Sequence, residues 1–228
     1  IVSLNNPINF VDFSLDKNYL EKLKQIYIVA CGTAMHAGLV GKYAIEKICR
    51  IPVNVEVASE FRYQDSILDE NTLCIFISQS GETADTIAAL KLAREKKAKT
   101  VAVTNVFESS ITRVADHTLY THAGPEIAVA STKAYISQVG LFVALAIYMS
   151  EVLDKNTELC QSLKSDLILL PDLMNQVINN NKYYQRIAKK MVREQDLFYI
   201  GRGNDYHIAL EGSLKLKEIS YIHSEAYA

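Results

Sequence analysis

Residues 73–86 read Leu-Cys-Ile-Phe-Ile-Ser-Gln-Ser-Gly-Glu-Thr-Ala-Asp-Thr. A run of five apolar residues, 73–77, is the length of a buried strand, and a helical pattern starts at Thr83. Between them, Ser78, Gln79, Ser80 and Thr83 supply hydroxyls and an amide at the positive end of the coming helix, where an anion such as phosphate is stabilised. Gly81 lets the backbone turn tightly and approach a ligand closely. The loop carries no Lys and no GxxxxGK[ST] spacing, so it is not a nucleotide P-loop. The competing reading makes Ser80 or Thr83 an ordinary cap on the next helix.

Working outward, short apolar runs alternate with helical patterns. Strands are predicted over 26–30, 53–57, 73–77 and 100–104, with a shorter strand-like piece over 116–121. Helices are predicted over 34–50 and 83–96, where Ile87, Leu90 and Leu92–Ala93 recur at helical spacing, and over the long apolar stretch 131–153. Strands of this kind between helices predict a doubly wound parallel sheet, a three-layer α/β/α sandwich. Ligands bind such sheets at the carboxyl ends of the strands, where the loop after Ile77 lies. Residues 156–194 read as helical, broken at Pro171. A strand over 197–200 and a helix from Tyr206 to His223 follow. A shift of 171 residues lays 26–32 over 197–203, His36 over His207, Gly41 over Gly212 and Ile48 over Ile219, as a duplicated unit would. The expected organisation is a first subdomain over 1–155, a helical linker over 156–195, and the first strand and helix of a second, similar subdomain over 196–228.

Composition narrows the function classes. With 49% hydrophobic and 22% charged residues the chain reads as an ordinary folded protein. Its net charge of −2, with Lys and Arg scattered, offers no basic stripe for nucleic acid. The apolar region 139–149, interrupted by Gly140, reads as too short to span a membrane. The opening residues 1–7 lack the build of a signal peptide and an initiator Met, so a piece of something longer is expected. The four cysteines, 31, 49, 74 and 160, form no CxxC or metal spacing; no metal is expected, and a reducing cytoplasm is the expected compartment.

Three strand-to-helix loops carry polar atoms that one sheet edge could gather: Cys31-Gly32-Thr33, Ser78 to Thr83, and Val129-Ala130-Ser131-Thr132-Lys133. A hydroxyl-rich, charge-poor pocket suits a phosphorylated polyol. Lys133 could meet a phosphate, although one turn into a helix it reads more simply as solvated. Cys31 lacks an identifiable base and reads as a small buried filler. On the last helix Glu211, Lys215, Glu218 and Ile222 fall on one face, and Lys215 beside Glu218 favours the ionised carboxylate a general base requires. Intrahelical ion pairs on a solvated face explain the same spacing. The five histidines show no catalytic partner spacing.

Taken together, CGT at 31–33, SQSGETADT at 78–86, EIAVASTKA at 126–134 and EGSLKLKEISYIHSEAYA at 211–228 resemble the sugar-isomerase (SIS) half of the glutamine–fructose-6-phosphate aminotransferases, the glucosamine-6-phosphate synthases. SQSGET signals an SIS domain, and KLKEISYIH is more specific to the synthases. The resemblance implies that Ser78, Gln79, Ser80 and Thr83 bind phosphate, that Thr33 and the backbone of Cys31 and Gly32 complete that pocket, and that Val129 and Ser131 contact the sugar. It further implies that Glu218 moves a proton between C1 and C2, with Lys215 as its charged neighbour. The implied reaction adds ammonia to fructose 6-phosphate and isomerises the product to glucosamine 6-phosphate, with no cofactor. Partners implied are a glutaminase domain and a second copy of the chain. Ala34 and Met35 depart from the family's Ser and Tyr or His, which removes one hydroxyl. The family's ring-opening His and Schiff-base Lys fall beyond Ala228, so this stretch alone is expected to bind sugar phosphate weakly or not at all and not to catalyse synthesis. Two alternatives remain: a sugar-phosphate-sensing SIS module, which needs the serine loop but no base, and another SIS isomerase or deglycase. No helix-turn-helix segment favours the sensor.

Overall fold

A computed structural model describes residues 2–3, 7–11 and 13–228; residues 1, 4–6 and 12, part of the opening stretch read above, lie outside them. The chain divides into two compact units, Ile1–Thr157 and Glu158–Ala228.

The first unit opens with two short antiparallel strands, β1 (Val2–Ser3) and β2 (Asn9–Phe10), and a helix, α1 (Lys17–Lys22). Five parallel strands then build the sheet: β3 (Gln25–Ala30), β4 (Val53–Val57), β5 (Thr72–Ile77), β6 (Lys99–Thr104) and β7 (His117–Tyr120). Their order is β4-β3-β5-β6-β7, all pairs parallel, with Ile26 beside Leu73, Ile77 beside Val103 and Thr104 beside Tyr120. The doubly wound α/β sheet expected from the sequence is present. In this order the winding reverses between β3 and β5, which opens a crevice at their carboxyl ends.

The strands are continuous apolar runs because both faces are covered. Val29, Cys74, Phe76 and Ala102 point to one side, where α3 (Ala58–Phe61) and α4 (Ala84–Glu95) supply Phe61, Ala89, Leu90 and Ala93. On the other side α2 (Gly32–Cys49) and α5 (Lys133–Val152) pack together. Glycine permits that packing: a Cβ at Gly38 would stand 2.7 Å from Ile28 Cγ2, and one at Gly41 would stand 2.6 Å from the Phe142 ring. α5 is long and apolar enough, at a mean hydropathy of 1.4, to cross a membrane by length and composition, which the sequence reading of 139–149 understated. Here its apolar stripe, including Leu141, Phe142, Leu145 and Met149, is buried, with Phe142 against α2. The N-terminal segment adds an aromatic cluster, with Phe10 edge-on to Tyr148 at 5.4 Å and the Tyr148 hydroxyl accepting from Leu15 N at 2.8 Å.

The second unit holds α6 (Thr157–Asn179, from Glu158 on), α7 (Asn181–Met191), β8 (Asp196–Ile200), α8 (Asn204–Ser220) and β9 (His223–Tyr227). Two expectations need correcting. Pro171 lies inside α6 without ending it, and the break falls at Asn180, within three consecutive asparagines whose side chains compete for backbone hydrogen bonds. The last helix stops at Ser220, not His223: Tyr221 adopts the left-handed conformation (φ 61°), and residues 223–227 form a strand parallel to β8. The second unit therefore contains a strand–helix–strand unit rather than one strand and one helix. Ser213 Oγ donates to Ser224 O at 2.9 Å and pins α8 on β9.

Candidate functional site

The crevice at the winding reversal is a cavity of about 230 Å³ lined by Cys31, Thr33, Ala34, Ile77, Ser78, Gln79, Ser80, Thr83, Ser131 and Gln138. It gathers seven of the expected site residues, Cys31, Thr33, Ser78, Gln79, Ser80, Thr83 and Ser131, from three separate loops. Gly32 begins α2 beside it at φ 53° without lining it. Val129 stands outside it and is fully exposed (101%). Lys133 is exposed and does not line it either. Lys215 and Glu218 belong to the second unit.

Among the described residues no charged side chain lines the cavity. What an anion would meet there is backbone. Cys31, Thr83 and Thr132 are the cap residues of α2, α4 and α5, and none of them makes a side-chain capping bond. Thr83, read from sequence as a possible cap, turns its hydroxyl to Ser78 Oγ at 2.8 Å, which leaves the first turn of α4 without a side-chain cap. Helix starts of this kind attract an anion through their unsatisfied N–H groups and aligned peptide dipoles. At α5, Glu126 takes the capping part from outside the helix, accepting from Ala134 N at 3.1 Å and from Ser131 Oγ at 3.4 Å.

The loop after β5 is held in place before any ligand arrives. Ser78 N donates to Val103 O (3.0 Å), Gly81 N to Ser78 Oγ (3.0 Å), Glu82 N to Ser80 Oγ (3.2 Å) and Asn105 N to Gln79 O (3.0 Å). Gly81, at φ 72°, passes so near the 3₁₀ turn Ser110–Arg113 that its carbonyl accepts from Ile111 N at 3.0 Å. Glu82 fastens the same turn, accepting from Ser110 N at 2.7 Å; hydrogen bonding from Ser110, its side chain first and its backbone N–H second, holds the carboxyl below the usual value. Such bracing keeps the loop ordered without the entropy loss of arranging it around a ligand.

In the second unit Lys215 Nζ lies 2.5 Å from Glu218 Oε2 and 3.4 Å from Glu211 Oε1 along α8. Both carboxylates are thus partnered by one ammonium. Ile222, expected on the same face, lies beyond the helix. Among the described residues no group of His, Cys, Asp and Glu is placed to hold a metal. Gln138 is the polar cavity residue that sequence reading missed, because no motif or spacing marks it; it is buried, and Ala34 and Ile77 complete the lining.

A family model described as SIS domain matches residues 19–148 and 190–228, and the chain belongs to the SIS domain family. Over all 228 residues it is 54% identical to a glutamine–fructose-6-phosphate aminotransferase [isomerizing] of Clostridium tetani, covering 38% of that protein. Its counterpart of the same name in Caldanaerobacter subterraneus subsp. tengcongensis is 55% identical over 95% of this chain and 36% of its own length. The chain thus spans little more than a third of these relatives. Among solved structures, the C-terminal domain of glucosamine-fructose-6-phosphate aminotransferase from Francisella tularensis superposes with a TM-score of 0.89 at 38% identity, covering 95% of this chain and 62% of that one. Glucosamine-6-phosphate deaminase from Thermotoga maritima shares the fold (TM-score 0.71, 22% identity, 93% of this chain and 66% of that one).

Proposed function

We propose that the cavity of the first unit binds the phosphate and carbon chain of a hexose 6-phosphate, and that the chain is the isomerase portion of a glutamine–fructose-6-phosphate aminotransferase. The observation that carries this reading is the braced, hydroxyl-rich cavity with uncapped helix starts and no charged lining side chain. Ser78, Gln79, Ser80 and Thr83 hold the phosphate, with Thr33 and the backbone of Cys31 and Gly32. Charge-assisted hydrogen bonds of this type contribute roughly 1.5–3 kcal/mol each. Ser131, in the cavity lining, serves the sugar, and the family resemblance gives Val129 the same part although its side chain stands outside the cavity here. Ammonia condenses with the C2 ketone of fructose 6-phosphate, water leaving as the C2 imine forms, and Glu218 then moves a proton from C1 to C2, giving the C1 aldehyde and C2 amine of glucosamine 6-phosphate. A positioned base typically contributes about 10²–10⁴-fold. Lys215, 2.5 Å away, keeps Glu218 oriented and partnered.

In this reading residues 1–155 form the sugar-phosphate subdomain, 156–195 a helical linker and 196–228 the beginning of a second subdomain. The protein acts in the cytoplasm, as a homodimer, with ammonia from a glutaminase domain. Calorimetric titration of the chain with fructose 6-phosphate and glucosamine 6-phosphate tests it. Binding lost in Ser80→Ala and kept in Glu218→Gln supports a phosphate loop separate from the base. Binding that survives Ser80→Ala contradicts the loop's role.

A further inference from the structure

Gln138 sits in the buried stripe of α5 with Ala134, Leu141 and Leu145, one turn or two apart, yet it is a carboxamide and only 2% exposed. Its Oε1 has no hydrogen-bond partner, although buried polar atoms are almost always paired. The side chain lines the same cavity as the serine loop. The serine and Thr83 hydroxyls of the lining are already engaged within the fold: Ser78 with Thr83, Ser80 with Glu82 N, Ser131 with Glu126. An apolar side chain of similar volume would pack in the stripe without leaving a polar atom unpaired, so packing does not account for a glutamine here.

We propose that Gln138 is a specificity-determining residue that recognises a hydroxyl of the ligand's carbon chain. A hydroxyl both donates and accepts, and so does a carboxamide, whereas a phosphate dianion only accepts. The terminal torsion of glutamine is broad, so a half-turn brings Oε1 to a ligand O–H at small cost. The phosphate is held by the β5–α4 loop, and the α5 side of the cavity, with Ser131 and Gln138, reads the carbon chain. This assignment rests on the hexose-phosphate reading above.

The test measures affinities of the chain and of its Gln138→Met and Gln138→Leu variants for fructose 6-phosphate, glucosamine 6-phosphate and inorganic phosphate, with melting temperatures of the ligand-free proteins. Both variants are expected to bind the hexose phosphates about tenfold more weakly, inorganic phosphate unchanged, while the ligand-free protein melts about 2–4 °C higher. Hexose phosphate affinity unchanged in either variant overturns the inference, as does a melting temperature lowered in both, since the amide would then serve the fold. If the wild type binds inorganic phosphate as tightly as the sugars, Gln138 has no hydroxyl to read and this inference fails, with the phosphate loop intact. If it binds neither, the proposed function fails as well.

Discussion

Gly81 carries two constraints at once. Its φ of 72° lies in the left-handed region, and a Cβ there would stand 2.0 Å from Ser109 Oγ and 3.0 Å from Thr104 Oγ1. Gly81→Ala is expected to destabilise the chain by about 1–3 kcal/mol and to weaken phosphate binding, because relief of the clash displaces the loop that holds Ser78 and Ser80. Denaturant unfolding beside a phosphate titration checks both effects; equal stability would mean that the loop has room the geometry denies. The cysteines divide along the same lines. Burial pushes the Cys74 thiol up to about 12, whereas Cys31 is partly exposed at the cavity. Alkylation in the native state is expected at Cys31 and not at Cys74, with mass spectrometry locating the label. Cavity-lining residues were readable where chemistry and loop position coincide, as in Ser78 to Thr83. Gln138 was not, because nothing in a sequence distinguishes a solvated glutamine on an apolar helix from a buried one beside a cavity.

At the scale of elements, α2 and α5 meet through Gly41 and Phe142. Phe142→Ala is expected to cost about 3–5 kcal/mol, since it empties a fully buried site. Gly41→Ala should be destabilising in the wild type and much less so in the Phe142→Ala background, a coupling that a double-mutant cycle measures directly. β7 carries a pH dependence. Burial, then the positive charge of Lys99, holds His117 below its ordinary value of 6.5, Asp116 opposing, while Phe13 packs edge-on at 5.6 Å. The unfolded chain therefore takes up the proton first. The stability His117 supports is present above pH ~6.5 and is lost as pH falls through the depressed folded value. Thermal unfolding at steps from pH 7.5 to 5 should show this decline, and His117→Gln should flatten it; an unchanged slope in the variant would assign it elsewhere. Elements bounded by strong punctuation were legible: the parallel strands fell within a residue or two of their predicted ends. The end of α8 was not, because the helical pattern read as far as His223 gives way after Ser220 to a strand that pairs with β8. Pro171 was over-read: it removes one hydrogen bond from α6 but does not end the helix.

For the whole molecule, strand order is what turns scattered loops into a site. The order β4-β3-β5-β6-β7 places the carboxyl ends of β3 and β5 side by side at the winding reversal, so Cys31-Gly32-Thr33 and Ser78-Gln79-Ser80 become neighbours although 47 positions separate Cys31 from Ser78. Alternation of strands and helices made the fold class legible. The sheet order, and with it the convergence of three loops on one cavity, is a property of tertiary packing that the alternation does not encode. The central claim is that this cavity takes the phosphate of a hexose 6-phosphate through the loop after β5. A crystal structure of the chain with glucosamine 6-phosphate tests it most directly. The account predicts the phosphate within hydrogen-bond distance of the Ser80 and Thr83 hydroxyls at the start of α4. A phosphate seated elsewhere on the protein, with this loop unoccupied at saturating ligand, would contradict it.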